Sequence, residues 1–65
     1  MRFILLVTGD NSGVVTFSEA AAARWEGMGR IVKVLDGDLT EEKKIEVFEA
    51  DKTIGEWLDR VEANR

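Results

Sequence analysis

An α+β fold, a small antiparallel sheet of three or four strands with two helices packed on it, is predicted by three features of this 65-residue chain. Short runs of apolar, β-branched and aromatic residues are closed by clusters of Gly, Asp and Asn, as strands are. Two other segments carry apolar residues at helical spacing behind capping residues. Both kinds fall within one stretch too short for a second core, so residues 1–65 form one domain. Packing helices on an antiparallel sheet is then the simplest way to bury both sets of apolar faces.

The elements follow in order. "RFILLVT" (2–8) reads as a strand ended by the turn cluster "GDNSG" (9–13), and "VVTF" (14–17) completes a hairpin with a five-residue loop. A helix comes next. Thr16 and Glu19 have capping-box spacing, Ser18 is an alternative cap, and "EAAAARW" has high helix propensity. Phe17, Ala21, Trp25 and Met28 share a face of it, and Gly27 or Gly29 supplies the left-handed cap at its end. "RIVKVL" (30–35) and "KKIEVFE" (43–49) read as a second pair of strands joined by "DGDLTEE". In the later strand Ile45 and Val47 would share one face, with Lys44, Glu46 and Phe48 on the other. The last helix has Thr53 and Glu56 at capping-box spacing, followed by Ile54, Trp57, Leu58 and Val61 on one face. The expected order is β-β-α-β-β-α. The alternative is a three-stranded sheet with "VVTF" absorbed into the approach to the first helix.

The first strand is apolar on both sides, with Phe3, Leu5 and Val7 on one and Ile4 and Leu6 on the other. A sheet with helices on one face leaves one of these sets wet. Burial of both sets beneath helices on opposite faces is the expectation. The alternative is that one face meets another protein.

Composition narrows function. Without cysteine or histidine the chain has neither disulfides nor a Cys/His metal staple. A domain of this length buries only about 60% of the surface its unfolded chain exposes, so good packing or association must supply its stability. Arg2 precedes the apolar run "FILLV", which is shorter than a secretory signal core, and no segment is long enough to span a bilayer. The chain reads as a complete cytosolic protein.

Catalysis is not expected. His, Cys and Tyr are absent, Ser12 and Ser18 have no histidine to activate them, and "GDNSG" lacks the spacing and lysine of a phosphate loop. Paired acids such as Asp36 and Asp38 need an enclosing cleft to act on a substrate. "DGDLTEE" offers oxygen ligands but breaks the EF-hand pattern, with Thr40 at its fifth position and Glu41 at its sixth, so it reads as a turn and no metal or cofactor is expected. Trp25 and Trp57 read as core.

Charge is the remaining signal. The chain carries thirteen acids against nine bases, and ten of the acids fall in residues 36–62. Direct nucleic-acid binding is disfavoured because phosphate contacts need a basic surface. The candidate partner-binding residues are Asp36, Asp38, Glu41, Glu42, Glu46, Glu49, Glu56, Asp59 and Glu62. They keep a small domain soluble, and they also project a negative field toward any basic partner.

In size, acidity, lack of cysteine and element order, the chain resembles the small acidic anti-CRISPR proteins of phages that act on type I surveillance complexes. The resemblance runs over the whole chain and rests on no motif. It implies a non-enzymatic, stoichiometric inhibitor in the cytoplasm of a bacterial host. Its acidic surface would occupy a basic, nucleic-acid-binding surface of a CRISPR effector complex, with no direct nucleic-acid or membrane contact. The other reading is a homo-oligomeric structural or regulatory module, in which Ile4, Leu6 and Phe48 bury a second apolar face against a copy. Monomer and homodimer are both open.

Overall fold

The first two apolar runs pair into a hairpin tighter than the spacing suggested. In a computed structural model that describes residues 1–64, β1 (Arg2–Gly9) and β2 (Ser12–Thr16) are antiparallel and joined through Asp10 and Asn11. The register shifts between Val7 and Gly9, so a bulge replaces part of the five-residue loop. Gly13 lies within β2, opposite Val7, and has no room for a side chain: a Cβ there would stand 2.7 Å from both Leu5 Cδ1 and the Leu6 carbonyl oxygen.

Helix α1 (Glu19–Gly27) follows. Of the two candidate caps Ser18 is used, its Oγ accepting the Ala21 N–H at 3.1 Å. Gly29, at φ +80°, supplies the left-handed turn after the helix. The chain then returns as β3 (Val32–Asp36), which pairs antiparallel with β1 and completes a sheet of order β2-β1-β3.

The expected strand over 43–49 is a helix. Residues Glu41–Asp51 form α2, with Thr40 Oγ1 accepting the Lys43 N–H at 3.1 Å and Glu41 and Glu42 in the first turn. A two-residue break leads into α3 (Ile54–Ala63). The capping box expected at its start does not form: the Thr53 side chain caps nothing, and its hydroxyl turns back to the Ala50 carbonyl at 3.5 Å. The break is too short for Thr53 to leave the preceding turn, whose Ala50 carbonyl also accepts the Thr53 N–H at 3.2 Å. The fold is thus α+β with three strands and three helices, in the order β-β-α-β-α-α. The sheet has three strands for a reason other than the one expected: "VVT" stays in it, and the fourth strand is the segment that became helix.

One face of the sheet carries the core. Leu6, fully buried, packs with Ala21, Ala22, Trp25 and Met28 from α1 and with Ile54 and Leu58 from α3, and Ile4, Val14 and Val32 border the cluster. Trp25 and Trp57 stack at 5.1 Å between ring centroids. Helix α2 touches β2 and α3 but neither β1 nor β3, so it lies along the outer edge of β2. Burial of both faces of β1 is therefore corrected: Phe3, Leu5 and Val7 are only partly buried, and among the described residues no helix covers the centre of their side. The assignment of Ile4 and Leu6 to the exposed face is also reversed, since these two are the core side.

Candidate functional site: an acidic helix face with an apolar centre

The candidate acids do not form one array. Asp36, at the end of β3, pairs with the N-terminal ammonium at 3.1 Å, and Asp38 is exposed in the connection to α2. On α3, Asp59 and Glu62 close on Arg24 of α1, at 2.9 and 2.8 Å from its Nη2. Those hydrogen bonds, Asp59 first and Glu62 second, raise the guanidinium's pKa above its ordinary value. Glu56, also on α3, is exposed and forms no ion pair among the described residues.

The remaining acids gather on α2. Val47 is its one fully buried side chain, and Lys43, Lys44 and Asp51 flank it, so the opposite side faces solvent. Helical geometry places Glu42, Ile45 and Glu49 along the middle of that outer side, with Glu41 and Phe48 on one flank and Glu46 on the other. Ile45 is 60% exposed and Phe48 57% exposed. Residues two apart on a helix lie about 160° apart around its axis, so Ile45 and Val47 point to opposite sides. The shared strand face expected for them does not exist.

Lysines lie beside the acids at i, i+3 spacing: Lys44 to Glu41 at 3.2 Å, Lys43 to Glu46 at 3.8 Å and Lys52 to Glu49 at 3.1 Å. Such exposed pairs contribute about 0–1 kcal/mol each and leave the carboxylates open to a competing cation. Five acids against two lysines keep residues 41–51 negative. The outer side of α2 is an apolar Ile45 among glutamates with Phe48 on its flank, and that combination suits a partner with an apolar spot among basic side chains.

Asp51 follows Glu46 and Glu49 along the same acidic stretch, yet it is not part of the exposed face. It is half-buried, accepting the hydroxyl of the fully buried Thr16 at Oδ1 and the Phe17 N–H at Oδ2, 3.0 Å away. Its role is to fasten α2 to the junction of β2 and α1. The contact joins residues 35 positions apart, and no local signal announces it. The helix itself had a signal, since Thr40 followed by two acids is an N-terminal capping pattern.

Among the described residues no group of three or more acids is placed to hold a metal ion, and no helix is long and apolar enough to cross a membrane. No protein-family model, no curated protein and no solved structure matches the chain.

Proposed function

We propose that this protein is a non-enzymatic, protein-binding inhibitor that uses the outer side of α2 to occupy a basic surface of a partner. The surface that fits this chemistry is one that otherwise holds nucleic acid, and the partner implied by the resemblance to anti-CRISPR proteins, which now rests on size, acidity and lack of cysteine and no longer on element order, is a type I surveillance complex. The observation that supports the reading is the exposure of Ile45 among Glu41, Glu42 and Glu49, with Phe48 exposed on the adjoining flank. Phe48 packs its ring against Phe17, 5.0 Å between centroids, yet stays more than half exposed, and a helix face kept only for solubility has no need of Ile45 in its middle. An interface needs such side chains as anchors, with the acids setting approach and orientation. Asp38 and Glu56 extend the same negative field, while Asp36, Asp59 and Glu62 are partly committed to internal pairs.

The test is competition. Increasing amounts of the protein are added to a purified surveillance complex and its labelled target DNA, and DNA binding is followed by anisotropy at low and high salt. Displacement at low salt that weakens as salt rises is expected. Phe48→Ala, truncating an anchor, should weaken inhibition by roughly 30-fold, the effect of losing about 2 kcal/mol at an interface hot spot. The triple variant Glu42→Lys, Glu46→Lys, Glu49→Lys should abolish it. Inhibition that survives this triple change at full strength would sink the proposal.

A further inference from the structure

The sheet has two edges, and only one is protected. Helix α2 lies along β2, whereas among the described residues no strand or helix lies along the outer side of β3. Two backbone bonds fix which groups of β3 face outward. The Val7 N–H donates to the Ile31 carbonyl and the Gly37 N–H to the Met1 carbonyl, both at 3.0 Å. Odd-numbered residues of this segment therefore turn their backbone groups to β1, and in an antiparallel ladder the even-numbered ones turn theirs away. Val32, Val34 and Asp36 thus present N–H and C=O groups along an open edge.

The same strand exposes apolar side chains on both faces. Ile31, just before β3, is 62% exposed, Val34 57% and Leu35 39%, so residues 31–35 supply half of the six exposed large hydrophobic residues among the described residues. Edge strands are ordinarily blunted by proline, bulges or inward-pointing charge. Residues Val32–Asp36 have no proline, pair with β1 without a bulge, and carry one lysine.

We propose that β3 pairs antiparallel with β3 of a second copy, giving a continuous six-stranded sheet about a two-fold axis at Val34. The charge order of "RIVKVLDGD" (30–38) identifies the occupant as another copy. Its bases, Arg30 and Lys33, lie at one end and its acids, Asp36 and Asp38, at the other. Antiparallel self-pairing brings each basic end against the partner's acidic end, so the strand is its own complement despite the chain's net charge of −4.

The register follows from the same residues. With the axis at Val34, the two Val34 residues exchange both backbone bonds and Val32 pairs with Asp36 on each side, about six hydrogen bonds in all. Arg30 then stands opposite Asp38 and Lys33 opposite Leu35. The two Lys33 side chains are diagonal neighbours, roughly 7–8 Å apart, where water separates them. Moving the axis to Lys33 sets like charges directly opposite, and moving it to Leu35 leaves Arg30 without an acid. Arg30 rests over the Trp25 ring, 4.8 Å from its centroid, and its side chain makes no hydrogen bond or ion pair among the described residues.

Sedimentation velocity from micromolar to millimolar concentration tests the pairing. The mass should rise from 7.3 kDa toward twice that value. Val34→Pro removes an outward N–H and leaves the ladder to β1 intact, so it should keep the circular dichroism spectrum and weaken the dimer by about tenfold or more. Should that variant not fold, Val34→Lys places like charges at the axis and should separate the copies with the fold preserved. Val34→Cys should give a disulfide-linked dimer on mild oxidation, because residues facing each other in a bonded pair stand about 5.5 Å apart. Ile45→Cys, on α2, should stay largely unlinked under the same conditions. A 7.3 kDa species at millimolar concentration overturns the proposal, as does a dimer equally strong in both folded Val34 variants. Since α2 lies at the opposite edge, either result is independent of the inhibition assay.

Discussion

Asp51 shows how much one side chain decides here. Its two oxygens hold the Thr16 hydroxyl and the Phe17 N–H, and Thr16 Oγ1 in turn accepts the Ser18 N–H at 3.0 Å. One carboxylate thus positions the end of α2, the end of β2 and the cap of α1. Asp51→Ala should lower unfolding free energy by about 1.5–3 kcal/mol, the range for a hydrogen bond to a charged group, read from the urea midpoint. Gly13 acts through close approach instead. A methyl group there meets Leu5 and backbone at 2.7 Å, so Gly13→Ala should cost roughly 1–3 kcal/mol through overpacking, again measured by urea. Arg24 acts through charge. Because its folded pKa is raised, its contribution is complete below the ordinary guanidinium range and is lost only as pH rises through the raised value. Arg24 itself therefore gives stability no slope across neutral pH. None of these three roles is legible in sequence, where Asp51 is one acid among thirteen and Gly13 one residue of a turn cluster.

At the scale of elements, α2 carries the main lesson. "KKIEVFE" has the alternation and the β-branched and aromatic content of a strand, and over seven residues the two periodicities are hard to separate. The segment becomes helical because it does not stand alone. Thr40 and the acids of the first turn start a helix before it, and eleven residues, most of them good helix formers, continue it to Asp51. Thr40→Ala should therefore cost about 1 kcal/mol and reduce helical circular dichroism near the melting point. That switch of element created the candidate site. In a strand, Ile45 would have been buried beside Val47; on the helix it is exposed beside Phe48 and surrounded by glutamates.

The whole molecule is a three-stranded sheet with one helix-covered face, one open face and one open edge. A domain of this size has little stability to spare, so association at β3 should register in its melting. The melting temperature should climb as protein concentration is raised, since mass action favours the paired state, and in Val34→Pro the climb should begin only at concentrations about tenfold higher or more. Scanning calorimetry over a concentration series reads this directly. The α2 face and the β3 edge are at opposite sides of the sheet, so a paired molecule would present two acidic faces pointing outward. That arrangement joins the two proposals without either depending on the other.

By itself the sequence determined the class of fold, the hairpin, β3 and both tryptophan-bearing helices, because each has a local signal in apolar period, caps or turn residues. It also determined that most acids lie outside, since a carboxylate without a partner is costly to bury. Tertiary structure decided what depends on distant neighbours: the withdrawal of Asp51 from the surface and the capture of Asp59 and Glu62 by Arg24. It decided too which face of β1 is covered. Both faces are apolar along the strand, and only the docking of α1 and α3 distinguishes Leu6, fully buried, from Leu5, which is not.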